Sequence, residues 1–147
     1  MATSALLLLD TNILIHLVRR DRTWERIRSR YNLPATDPKP LISVVTEGEL
    51  RSFALQRSWG EAKLDQMEYA LGYFDRVSIT NPDVIQAYAV IDSHFQRRGQ
   101  TLGKNDLWIA GTAVATGARL LTTDTDFDPL DPMFISRDWT DPSSESN

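Results

Sequence analysis

The stretch Leu6-Leu7-Leu8-Leu9-Asp10-Thr11-Asn12-Ile13-Leu14 sets the fold. A short continuous apolar run with a polar residue at its carboxyl end reads as a strand buried on both faces. The run at 5–9 is that strand, and Ile13, Leu14 and Leu17 then fall on one face of a helix starting near Asn12. Strand followed at once by helix is the opening of an α/β domain.

The rest of the chain repeats the alternation. A second helix starts near Asp21 and carries Trp24, Ile27 and Tyr31, and a loop with three prolines spans 32–40. Leu41-Ile42 reads as a strand, Val44 to Gln56 as a helix, and Glu61 to Phe74 as another after the Ser58-Trp59-Gly60 break. Val77-Ser78-Ile79 is the expected third strand. Asn81-Pro82 starts a helix, a capping residue followed by proline at the first helical position. A helix from about Asn105 to Thr116 ends at Gly117, the glycine that commonly closes a helix. Arg119-Leu120-Leu121-Thr122 is the fourth strand and Met133-Phe134-Ile135 a short fifth. Such alternation implies a parallel sheet covered by helices on both faces, with sites outside the carboxyl ends of its strands.

Bulk properties exclude several classes. A chain of 147 residues with seven glycines, seven prolines and 41% hydrophobic residues fits one globular domain. It has no cysteine, so disulfides, thiolate zinc sites and cysteine nucleophiles are excluded. The apolar start is too short for a secretion signal and lacks a preceding Lys or Arg, and no stretch approaches the ~20 apolar residues of a membrane helix. A soluble cytoplasmic protein without membrane contact is expected. The net charge of −4 argues against nucleic acid. Its distribution argues otherwise, because Arg19, Arg20, Arg22, Arg26, Arg28 and Arg30 crowd one stretch against only Asp21 and Glu25. That stretch is either a solvated helix face or a patch that contacts phosphate.

Four acids have a route to one sheet edge. Asp10 follows strand one, Asp124 follows strand four, Asp106 opens the helix before strand four, and Glu49 lies in the helix after strand two. Each alone has an ordinary structural use: Asp10 as a cap, Glu49 in a capping box with Thr46, Asp106 in a first helical turn, Asp124 in an Asx turn. Together they repel, by about 4 kcal/mol for a pair ~4 Å apart at an effective dielectric near 20. Such a cluster needs protons or a cation. An all-oxygen set, with His16 and His94 outside any ligand-spacing motif, favours Mg²⁺ or Mn²⁺ over zinc.

The segments Leu8-Leu9-Asp10-Thr11-Asn12-Ile13-Leu14, Thr46-Glu47-Gly48-Glu49-Leu50, Asn105-Asp106-Leu107-Trp108-Ile109-Ala110 and Leu121-Thr122-Thr123-Asp124-Thr125-Asp126-Phe127 resemble the four motifs of the PIN-domain ribonucleases, and most of all those of VapC toxins from toxin–antitoxin pairs. The resemblance covers nearly the whole chain in the family's order. It implies an α/β fold and a single PIN-like domain, expected over 1–138, with a four- or five-stranded parallel sheet; the tail over 139–147, rich in Ser, Asp and Glu, is expected to be frayed. It also implies metal-dependent hydrolysis of RNA with Asp10, Glu49, Asp106 and Asp124 as catalytic and metal-holding acids. Thr11, Asn12 and Thr122 match the supporting polar positions, and Asp126 is an auxiliary. Arg19, Arg20, Arg22 and Lys104 are the candidates for RNA contact. A small VapB-like antitoxin and a homodimer are further implied, with Ile13, Leu17 and Trp24 either anchoring such a partner or serving as core.

Glu47 rivals Glu49. Val45, Leu50, Phe53 and Ala54 mark the helix's buried face, Glu49 lies nearer its centre, and the family's Glu-Leu pair matches Glu49. Two departures concern packing: Arg51-Ser52-Phe53 replaces a frequent glycine after the Glu-Leu pair, and Gly111 stands where alanine is frequent. A haloacid-dehalogenase phosphatase would need an acid at position 12, which is Asn12, and no Gly-rich phosphate loop is present. A catalytically silent PIN-fold binding module, or an RNA-processing PIN ribonuclease without antitoxin, are the remaining alternatives. The number of metals and the RNA cut stay open.

Overall fold

A computed structural model describes residues 5–143. Its elements in order are β1 (Leu7–Leu9), α1 (Thr11–Arg19), α2 (Arg22–Tyr31), β2 (Leu41–Ser43), α3 (Val44–Gln56), α4 (Glu61–Leu71), β3 (Asp75–Val77), α5 (Pro82–Gln96), α6 (Lys104–Thr116), β4 (Arg119–Thr122), a 3-10 turn (Thr125–Leu130) and β5 (Arg137–Trp139). The strands form one parallel sheet in the order β3-β2-β1-β4-β5.

The leucine run earns its length from this position. In β1 alternate side chains leave opposite faces of the sheet. Leu7 and Leu9 enter a core with Ile13, Leu14 and Leu50, whereas Leu8 enters a second core with Ile91, Phe95, Leu107 and Phe127. Both faces are covered, so every position must be apolar. Ile13, Leu17 and Trp24 are buried in the first core, so the anchor reading gives way to the core reading. On the other face α5 and α6 pack together at Gly111. A Cβ there would stand 3.0 Å from the Val84 carbonyl oxygen, so the place of the family's alanine is taken by the residue that permits closer approach.

Two strands differ from expectation, and both are edges. β3 ends at Val77 rather than beginning there, because Ser78 Oγ accepts from the Thr80 backbone N–H and turns the chain towards α5. β5 is Arg137–Trp139, not 133–135; the Phe134 and Ile135 N–H groups both donate to the Leu130 carbonyl, and Ile135 buries in the second core. Edge strands carry charge where central strands carry leucine. α4 also stops at Leu71, and Tyr73 and Phe74 close a turn beyond it. The boundary expected after residue 138 falls inside β5. Residues up to Pro142 are tied back, with the carbonyls of Asp141 and Pro142 accepting from Arg26 and Thr23; residues 144–147 of the expected tail lie outside the described residues. Among the described residues, no helix is long and apolar enough to cross a membrane.

The chain leaves β1 towards β2 and β3 on one side, then crosses back to place β4 on the other. The strand order therefore reverses between β1 and β4, where open α/β sheets hold their ligands. Asp10 and Asp124 stand just past these two strands.

Candidate active site and metal centre

A cleft of about 660 Å³ opens at this edge, lined by Asp10, Thr11, Asn12, Glu49, Asn105, Asp106 and Asp124, with α1 and α3 supplying its longer walls. The four expected acids are brought to one place.

Asp10 is buried at 4% exposure and held on both oxygens. Oδ1 accepts from the Thr11 backbone N–H at 2.7 Å, and Oδ2 accepts from the Thr122 hydroxyl at 2.8 Å. Thr122 Oγ1 in turn accepts from the Asp124 backbone N–H at 2.9 Å, linking the ends of β1 and β4. Burial pushes the Asp10 carboxyl from 3.8 up to about 7; the Thr122 and Thr11 bonds oppose this, and the charges of Asp106 and Asp124 add to it. Asp106, half-buried in the first turn of α6, is raised to about 6 by burial and then by Asp124, Asp126 and Glu49.

Glu49 is braced from two elements. Its Oε1 accepts from the Thr11 hydroxyl at 2.6 Å and its Oε2 from Asn105 Nδ2 at 3.0 Å. Glu47 turns elsewhere: it accepts from Arg51 at 2.9 Å and from Arg76 of β3, and it does not line the cleft. The geometry thus favours Glu49 of the two rivals. The capping box with Thr46 does not form, since Ser43 caps α3. The other structural uses coexist with the cluster, Asp10 capping α1 and Asp124 Oδ1 accepting from the Asp126 backbone N–H.

One carboxylate oxygen from each of Asp106, Asp124 and Asp126 lies within 4.8 Å of the others. Asp126, expected as an auxiliary, belongs to this trio, while Asp10 lines the same cleft and is buried. These residues fit a hard cation: the donors are all oxygen, and among the described residues no Lys or Arg forms an ion pair with Asp10, Asp106, Asp124 or Asp126. Asn12 is exposed on the cleft wall, and Lys104 borders a smaller recess with Glu49, Asn105 and Asp106.

The arginine stretch divides. Arg19 reaches Phe53, a cleft residue, with Cζ 5.6 Å from the ring centroid. Arg20 lines a separate cavity with Trp24, Tyr69 and Tyr73, and Arg22 is exposed without lining the cleft. Arg26 and Arg28 are engaged by the Asp141 carbonyl and Glu25. Sequence reasoning missed Asn105 as the brace for Glu49. Its signal was a short amide directly before Asp106 at a helix start.

Residues 7–131 match the PIN domain family. Ribonuclease VapC4 of Mycobacterium tuberculosis is 40% identical over 88 residues, which is 58% of this chain and 67% of that protein. VapBC2 from Rickettsia felis, solved bound to a DNA fragment from their promoter, superposes with a TM-score of 0.75 at 18% identity, over 92% of this chain and 99% of that one. A toxin–antitoxin complex from Klebsiella pneumoniae gives a TM-score of 0.65 at 25% identity, over 85% and 92%. Motifs, sheet order, a braced acid cluster at the switch point and a family match across most of its length agree: the chain belongs to the PIN-domain family.

Proposed function

We propose that the protein is a divalent-metal-dependent endoribonuclease and the toxin of a toxin–antitoxin pair. The observation that carries this is the convergence of Asp10, Glu49, Asp106 and Asp124 on one cleft, with Asp126 beside them and, among the described residues, no Lys or Arg ion-paired to any of them. The named ribonuclease relative and the toxin–antitoxin structural neighbour support the same reading.

Asp106, Asp124 and Asp126 would hold the cation, with Asp10 in the same cleft, and Mg²⁺ or Mn²⁺ suits such carboxylate oxygens. When bound, the cation supplies a Lewis acid for phosphate oxygen and lowers the pKa of water. The chain's own residues supply position. Thr122 and the Thr11 amide fix the Asp10 carboxyl, and Thr11 and Asn105 hold Glu49 over the cleft, where it orients the attacking water. Water oxygen joins phosphorus as the bond from phosphorus to the ribose 3′ oxygen breaks, which leaves 5′-phosphate and 3′-hydroxyl ends. Lys104 contacts a flanking phosphate. The partner is a small VapB-like protein, and the working unit is a homodimer.

The test is cleavage of a defined RNA with Mg²⁺, then with EDTA, then with the product of the neighbouring gene co-expressed. Metal-dependent cutting suppressed in the complex is expected. Cutting that survives EDTA refutes the metal site, and full activity within the complex refutes the toxin role.

A further inference from the structure

The cleft continues beyond the acids. On α1, Asn12 and Ile15 line it, and Arg19 follows one turn further on the same face. On α3, Glu49, Ser52, Phe53 and Gln56 line it, and Arg57 caps the helix. At 1.5 Å rise per residue, Glu49 to Arg57 is about 12 Å along α3.

At this far end, cations stand over rings. Arg57 Cζ is 4.8 Å from the Phe53 centroid, with Arg19 on the same ring. Phe53 meets Trp59 edge-on at 5.8 Å, and Lys63 Nζ lies 4.8 Å from the Trp59 centroid. Among the described residues Arg19, Arg57 and Lys63 form no ion pair, whereas Arg28, Arg51, Arg76, Arg119, Arg137 and Lys39 each do. A guanidinium stacked on a ring keeps its N–H edge free, so it is placed without being neutralised. Cations placed on aromatic rings, with their N–H groups left outward, suit a flexible single strand whose phosphates take the charge.

We propose that Arg19, Phe53, Arg57 and Lys63 form a track for single-stranded RNA leading out of the acidic cleft along α1 and α3. The identity of the polymer rests on the ribonuclease reading. The track extends the sequence-based assignment: Arg19 keeps its role, Arg57 and Lys63 join it, and Arg20 and Arg22 leave it.

The experiment measures binding of a labelled single-stranded RNA by anisotropy in EDTA across a salt series. It compares wild type, Arg19→Gln/Arg57→Gln/Lys63→Gln, Phe53→Leu, and Arg97→Gln/Arg98→Gln on α5 as control, all checked for folding by circular dichroism. The triple variant is expected to bind about tenfold more weakly, with a log–log salt slope flatter by about 2. Phe53→Leu is expected to lose about fivefold without changing the slope. Wild-type affinity and slope in the triple variant overturn the track, as does a wild type that binds no RNA. If wild type cuts RNA while the triple variant binds normally, the track falls and the ribonuclease reading stands. If binding follows the track but Mg²⁺ brings no cutting, the track stands and the ribonuclease reading falls. Loss of a co-expressed partner with RNA binding intact makes the surface a protein interface and overturns the proposal.

Discussion

Glu47 and Glu49 sit two residues apart on α3 and belong to opposite electrostatic designs. Glu47 faces Arg51 and Arg76, and Arg51 also reaches Glu68 at 2.7 Å. Burial alone raises the Glu47 carboxyl, but the two arginine bonds overcome it and hold it below its ordinary value of 4.5. Glu49 faces a cleft where Asp10 and Asp106 are both raised and, among the described residues, no arginine forms an ion pair with them. The first region meets its charge from within the chain. The second leaves negative charge exposed to whatever cation enters, an arrangement that costs stability and therefore suggests function.

The largest expected difference between the two regions is in catalysis. Asp106→Asn should lower RNA cleavage by about 10³-fold while circular dichroism is unchanged, since the lost carboxylate acts on the transition state. Glu47→Gln should stay within about twofold of wild type. Comparable losses in both would dissolve the distinction.

The pH dependence of stability should run in opposite directions, measured in EDTA by denaturant unfolding. Asp10 has a raised carboxyl, about 7 folded against 3.8, so between these values the folded state holds a proton that the unfolded state has lost. Its contribution to stability is full below about 4 and disappears as pH rises through 7, a change of a few kcal/mol. Asp10→Asn should flatten that fall. Glu47 is depressed, so its contribution is present above 4.5 and disappears on acidification, and Glu47→Gln should weaken acid sensitivity instead. A wild type whose stability rises from pH 5 to 7 and responds to neither variant contradicts both assignments.

The sequence made the centre of the molecule legible and its margins less so. The leucine run, the Asn81-Pro82 cap and the Gly117 stop report local burial and backbone chemistry, and α3 and β4 lie where they were expected. β3 and β5 were misplaced because edge strands bury little, so an apolar pair such as Phe134-Ile135 marks packing against the core instead. At the site, chain order and motif identified the acids. What separates Glu47 from Glu49 is Arg76, 29 residues away, together with Arg51 at the next turn. The second was readable as an i,i+4 pair; the first needed the fold. The Phe53 contacts divide the same way: Arg57 stands one helical turn on, while Arg19 of α1 reaches the ring only through the fold.

Metal should sharpen the comparison at a smaller scale. A ligand bound only by the folded state stabilises it by about 2.7 kcal/mol at 100 times its Kd. Mg²⁺ or Mn²⁺ should raise the Tm of wild type and of Glu47→Gln alike, and hardly that of Asp10→Asn/Asp106→Asn. Equal shifts in the double variant would place the ion elsewhere.

The smallest effect concerns the arginine network itself. Its pairs are part-exposed, with Glu47 at 21% and Arg51 and Arg76 at 42%, and exposed ion pairs contribute about 0.2–1 kcal/mol each. Glu47→Gln at pH 7 should therefore cost about 1 kcal/mol, roughly 3 °C in Tm for a chain of this size. Salt distinguishes the regions more cleanly than the magnitude does. Screening weakens attraction between Glu47 and its arginines, so the cost of the substitution should shrink towards zero by about 1 M NaCl, where the Debye length is ~3 Å. Screening also weakens repulsion among the cleft acids, so in EDTA the part of the Asp106→Asn advantage that comes from Asp124, Asp126 and Glu49 should shrink, while the larger part that comes from burial should remain. The two substitutions thus lie on opposite sides of wild type, and only the Glu47 effect should vanish with salt. If both lie on the same side at low salt, the contrast between a neutralised and an unneutralised carboxylate on one helix is wrong.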